Sequence, residues 1–227
     1  MIIEKYGLKL VRVTYDDIET VRCGRNSDLV REKMLEQSVI TPSQQEHWFS
    51  TINNSRHCLY FMIQHNEKKI GLIHSKDIDW EKREDEGGIF IWDKRYIGSG
   101  IPAIASIILM QLCFSIVGLC RTYAHVHPDN LPAKKYNLTL GYSFTEAPNR
   151  MVLSRPSYDK NIQNLRKIAS RGKDLSPLSM TDISIDARDM ETPFFSNPLL
   201  DLSLLTGEGK RQASHLCPRP AIHGMKS

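Results

Sequence analysis

The run IPAIASIILMQLCFSIVGLC, residues 101–120, carries no charged side chain, and RYIGSG stands immediately before it. A segment this apolar either becomes a buried helix of a globular core or crosses a bilayer, which takes about 20 residues. Pro102, Gln111, the serines and the glycine inside the run argue for the core, as does the lack of a second comparable run. A non-catalytic protein anchored by 101–120 stays open as an alternative. The preceding Arg95 and the pair Gly98 and Gly100 fit a loop that turns into a helix start. There, free N–H groups and the positive end of the helix dipole attract phosphate oxygens. The spacing fits neither a Walker A loop nor G-x-G-x-x-G, and G-x-G alone also marks ordinary turns.

With 41% apolar and 25% charged residues over 227 positions, the chain has the balance of a water-soluble globular protein. Its net charge of +4 is too small to call for nucleic acid. The five cysteines form no C-x-x-C pair and no His/Cys cluster with zinc-ligand spacing, so no metal is expected. The first residues, MIIEKYGLKL, have no basic segment leading into an apolar core. A secretory leader is therefore not expected, and the expected location is the cytoplasm.

Alternation predicts strands at 8–14, 59–64, 68–79, 87–92 and 121–127, with two more within 142–155. Helical patterns lie at about 16–23, 28–36, 44–52, 101–118 and 131–140, the last closed by Gly141. The order predicts an α+β fold, a mixed sheet with helices on both faces. After Pro156 the periodicity fades except for a helix at 159–170. Residues 1–155 are thus expected as the domain and 156–227 as a partly disordered extension.

Arg95-Tyr96-Ile97-Gly98-Ser99-Gly100 resembles the R/Q-x-x-G-x-G/A loop of the GCN5-related N-acetyltransferases (GNAT). Asn130, Ala133, Tyr136 and Leu140-Gly141-Tyr142 follow in that family's order. The resemblance covers residues 7–155. A narrower one links CGRNSDLVREKML, ITPSQQEHWF and GLIHSKDID to a subgroup that acetylates nucleotide-linked amino sugars, of the pseudaminic acid pathway type. Gly24 replaces the subgroup's tryptophan, Gln45 stands where some members have histidine, and His47 is two positions out of register.

The family resemblance implies a mostly antiparallel sheet with a splayed central strand pair that takes acetyl-coenzyme A (acetyl-CoA) as donor. Cofactor contacts then fall to Arg95, Ile97, Gly98, Ser99, Gly100, Ile101 and Asn130. Tyr136 would serve the departing sulfur and Glu86 would be the base, with Asp79 behind it. Arg25, Met34, Gln45, Lys76, Asp77 and Asp79 would contact the acceptor. The expected reaction is acetyl transfer to a nucleotide-linked amino sugar in surface glycan synthesis; a protein N-terminus or another small amine is the alternative acceptor. No nucleic acid or membrane partner is expected, and a homodimer is the assembly the resemblance allows. His125 and His127 read as packing or exposed residues of a strand.

Overall fold

The computed structural model describes residues 1–172 and 174–195. The chain opens with a hairpin of β1 (Ile2–Lys5) and β2 (Leu8–Arg12). The sequence pattern misses β1, and β2 stops two residues before its predicted end. Then come α1 (Ile18–Asn26), the single turn α2 (Asp28–Arg31) and α3 (Pro42–Asn53). The helix expected over 28–36 therefore stops at Arg31, and 32–36 continues as turns. Thr41 caps α3 with a reciprocal Gln44 bond, and Pro42 occupies its first turn.

β3 (Leu59–His65) and β4 (Lys68–Asp79) are joined through Asn66 and Glu67, both with positive φ (47° and 59°). That backbone matches the right-handed twist of the flanking strands. β5 (Glu84–Ile91) begins three residues earlier than predicted. α4 (Ile101–Gln111) widens into a π-helical turn at Leu112–Val117 and ends at Gly118. β6 (Arg121–His125), α5 (Leu131–Leu140), β7 (Ser143–Phe144) and β8 (Arg150–Ser154) complete the predicted order. α6 (Arg155–Ala169) follows at once.

The described strands form one sheet in the order β7-β8-β6-β5-β4-β3-β2-β1, with β9 (Ile183–Ser184) beyond β1. All neighbouring pairs are antiparallel except β5 and β6. Those two pair in parallel only at Glu84–Arg121, Asp85–Thr122 and Glu86–Tyr123. Beyond that point β5 stays paired with β4 from Gly87 to Ile91, and Ala124 and His125 stay paired with β8. Each strand follows its outer neighbour, so a wedge opens between them. This is the mixed sheet with helices on both faces and a splayed central pair that the sequence leads one to expect.

The main core lies between the sheet and α4, with α5 and α6 alongside it; Ala105, Ile107, Ile108 and Phe114 are buried there. A smaller cluster on the opposite face joins Val13, Val21, Met62 and Leu72 beneath α1 and α3. The apolar run is a core element, and among the described residues no helix is long and apolar enough to cross a membrane. The span expected as an alternative for 101–120 is thereby corrected.

Beyond α6, the described part of the C-terminal stretch packs back on the sheet. β9 (Ile183–Ser184) pairs with β1 as an added edge strand, and Phe194 and Phe195 are buried. Lys5 pairs with Asp174 and Asp182, both at 3.2 Å. Buried Asp189 takes the amino group of Met1 and, at 3.4 Å, Arg12. Residues 173 and 196–227 of the expected extension lie outside the described residues.

Gln111, 1% exposed, ties this segment to α4 by accepting the Leu178 N–H at 2.9 Å. Gln111→Leu would strand that N–H in the core. It is expected to lower unfolding stability by about 1–3 kcal/mol, measured as a shift of the urea midpoint. An unchanged midpoint would contradict this role.

Candidate active site

A cavity of about 680 Å³ opens through the sheet where β5 and β6 part. Gly87 to Ile91 form one wall, and Ala124 to His127 the other. Because these strand edges are not paired with each other, their peptide groups face the slot like the edges of a sheet awaiting a strand.

At one end lies the loop leading into α4. Gly98 and Gly100 have φ of 77° and 85°, values that L side chains adopt only with strain. A Cβ built on Gly98 meets nothing within 4 Å, so the space beside the loop is open. The N–H groups of Gly98 and Gly100 donate to no protein acceptor among the described residues. Ser99 Oγ donates to the Tyr96 carbonyl (2.7 Å) and accepts from the Ile101 N–H (3.3 Å), bracing the turn. Asp93 caps the preceding turn and pairs with Arg95, which holds its carboxyl down at about 2. Ile97 and Gly98 line the cavity; Arg95, Ser99, Gly100 and Ile101 do not.

Asn130 caps α5 by accepting the Ala133 N–H at 3.1 Å and also lines the cavity. One and a half turns later, Tyr136 reaches α4. Its hydroxyl donates to the Pro102 carbonyl (2.9 Å) and lies 2.7 Å from Ser106 Oγ. Burial raises the phenol's pKa well above its usual value, against a smaller lowering by Ser106. Tyr136 therefore stays protonated, with its O–H given to the Pro102 carbonyl and its oxygen placed to accept from Ser106.

On the sheet face below α1, Glu86 holds two partners. Lys76 Nζ lies 3.0 Å from one carboxylate oxygen and His125 Nδ1 2.8 Å from the other. All three residues line the cavity. His125, expected as a packing or exposed strand residue, is instead brought against the predicted base. The two are 39 positions apart and meet through the β5–β6 register, which no local pattern displays. His74 also lines this face: its ring is stacked on Tyr60 and seated on Gly88, and burial lowers its pKa to about 4, so it is neutral.

The connection from α1 to α3 closes this side, with Arg25, Lys33, Met34 and Glu36 facing the cavity. One Arg25 nitrogen donates to the Glu36 carbonyl, whereas Nη1 is buried without a partner among the described residues. Gly24, which replaces the tryptophan of the subgroup pattern, lies under the indole of Trp92. A Cβ there would come within 2.5 Å of that ring. An aromatic group thus covers this spot after all, delivered from the end of β5.

Three predicted acceptor contacts lie away from the cavity lining. Gln45 is buried in α3 at 3% exposure. Asp77 is exposed and pairs with Lys76 at 3.2 Å. Asp79 caps the turn into β5 by accepting the N–H groups of Glu81 and Lys82, and pairs with Lys82 at 2.8 Å.

Residues 8–143 match the model of the acetyltransferase (GNAT) domain. No match is found among the curated proteins. Among solved structures, the spermidine N-acetyltransferase from Vibrio cholerae in complex with CoA and spermine superposes with a TM-score of 0.59 at 20% identity. The alignment covers 68% of this chain and 99% of that one. A dodecameric form of the same Vibrio cholerae enzyme gives 0.55 at 17% identity, over 68% and 97%. A domain from Methanocaldococcus jannaschii also gives 0.55, at 18% identity over 64% and 95%. Spermidine enzymes are thus among the similar folds, and the sugar-nucleotide specificity read from residues 23–35, 40–49 and 71–79 gains no support from them. With its family domain matched over more than half its length and the splayed slot in place, this chain belongs to the GNAT acetyltransferases and is an acetyl-CoA-dependent N-acetyltransferase.

Proposed function

We propose that the enzyme acetylates a small amine that also carries an anionic group, the nucleotide-linked amino sugars being the class that fits this description. The observation that carries the reading is Arg25, whose Nη1 is buried in the cavity wall with no partner among the described residues. A buried guanidinium N–H left unpaired is costly, and phosphate or carboxylate oxygens are its natural complement. Lys33 lines the same side. A polycation such as spermidine would need carboxylates here. Glu86 is already engaged by Lys76 and His125, and Asp85 is buried in the cavity floor beside Ser75, leaving on the Arg25 side only Glu36 against Arg25 and Lys33. A protein N-terminus remains the further alternative and would react as a free α-amine.

In this reading the pantetheine arm lies between the splayed edges, and the N–H groups of Gly98 and Gly100 bind the pyrophosphate. His125, oriented by Glu86 through Nδ1, takes the amine proton on Nε2 as the nitrogen attacks the thioester carbonyl. The C–S bond breaks as C–N forms, and the sulfur departs with the electron pair. Tyr136, with its pKa raised by burial, stabilises the thiolate by turning its O–H from the Pro102 carbonyl to the sulfur as a hydrogen bond, without giving up its proton.

Arg25→Ala tests the acceptor class. It is expected to raise KM for an anionic amine about tenfold or more, with kcat and the KM for acetyl-CoA little changed. An unchanged acceptor KM would remove Arg25 from recognition.

A further inference from the structure

On the α4 side of the junction where β5 and β6 separate, the cavity has a polar floor that acetyl transfer does not require. Asp85 sits there, 4% exposed, one residue before Glu86 and pointing to the opposite face. One carboxylate oxygen takes a short hydrogen bond from Ser75, and Cys113 Sγ lies 3.9 Å away. The other, Oδ1, is buried without a well-formed hydrogen bond among the described residues, although the Thr122 hydroxyl is near enough to lower the carboxyl's pKa. Thr122 and Tyr142 stand at the same junction: a Cβ on Gly87 would lie 3.1 Å from the Thr122 hydroxyl and 3.6 Å from that of Tyr142. Met110 and Phe114, from α4 and its π-helical turn, complete the apolar part of the lining.

Burial raises the Asp85 carboxyl to about 6, despite the lowering by its hydroxyl and thiol neighbours. A buried acceptor left without a full hydrogen bond is costly unless an occupant supplies a donor. The recess adjoins the point at which the strands close, so it lies where a thioester's acyl chain would continue past the carbonyl.

We propose that this floor is an acyl-selectivity site and that, besides acetyl-CoA, the enzyme also takes a short hydroxyacyl-coenzyme A, three or four carbons long, with the hydroxyl donating to Asp85. The proposal rests on the cofactor placement given above. A neutral hydroxyl suits the site because it brings no charge to desolvate. A second carboxylate, as in succinyl-CoA, would meet Asp85 as a like charge. The transfer balances as for acetyl: C–N forms, C–S breaks, the amine proton is released and the thiol is the other product. The hydroxyl takes no part in bond making.

Calorimetric titration of the full chain with CoA and its acetyl, butanoyl, 3-hydroxybutanoyl and succinyl thioesters tests the proposal without knowledge of the acceptor. The 3-hydroxybutanoyl thioester is expected to bind about tenfold tighter than butanoyl, as one added hydrogen bond in a dry site allows. Succinyl-CoA should bind weakest of the thioesters. Asp85→Leu is expected to bring the hydroxybutanoyl-to-butanoyl ratio to about one while leaving CoA affinity unchanged. Equal affinities in the wild-type protein would overturn the proposal, even if the variant failed to fold. So would four-carbon thioesters bound far more weakly than acetyl-CoA, or an Asp85→Leu variant that keeps the preference. In each of those cases CoA still binds and the cofactor placement stands; absence of CoA binding would overturn both.

Discussion

Tryptophan in place of Gly98 is expected to abolish acetyl-CoA binding, a loss of at least about a hundredfold in affinity. Two effects combine. The backbone holds φ at 77°, which costs an L residue about 1–2 kcal/mol. The indole would also fill the open space beside the loop, where a Cβ meets nothing within 4 Å and the pyrophosphate is placed. Gly98→Ala separates the two effects, because it adds strain with little bulk and should cost about tenfold. Titration with CoA distinguishes the outcomes, and a tryptophan variant that binds normally would move the pyrophosphate to another site.

The second large effect is expected at His125. With Glu86 on Nδ1, its Nε2 is the group available to accept the amine proton. His125→Gln should lower kcat/KM by about a hundredfold or more, the usual range for a lost general base. Acetyl-CoA affinity should hold. Glu86→Gln keeps the imidazole but weakens its orientation, so a smaller loss is expected. Tyr136→Phe removes a donor that touches the sulfur only as the thiolate forms, and about tenfold in kcat is expected with KM unchanged. Steady-state kinetics on the three variants gives the ranking. If Glu86→Gln proves the most damaging and His125→Gln retains turnover, the carboxylate itself is the base.

Local chemistry carried most of the fold into view. Alternation, the Thr41-Pro42 start and the Gly141 stop are short-range signals, and each appears where the pattern puts it. β1 escaped because four residues are too few to display a period, and its partners β2 and β9 lie on either side of it in space but far apart from each other in sequence. The candidate site was legible in part. Ile97, Gly98, Asn130, Tyr136, Arg25, Met34, Lys76 and Glu86 do gather around one cavity. Their neighbours were hidden for a physical reason. His125 joins Glu86 by strand register, Asp85 differs from Glu86 only in the face it points to, and Trp92 reaches Gly24 across the sheet. A carboxylate pair in EKREDE gives no sign of which member is buried. Pairing and burial decide that, and both are properties of the assembled sheet.

The most direct measurement is thiol release from acetyl-CoA in the presence of an amine panel: nucleotide-linked 3-amino and 4-amino sugars, spermidine, and peptides with a free N-terminus. Release is expected with an anionic amine, to fall sharply in His125→Gln, and to be weak with spermidine. Fastest release with spermidine would contradict the acceptor class inferred from Arg25, fastest release with the peptides would overturn the sugar assignment, and no release with any amine would contradict the small-amine reading altogether.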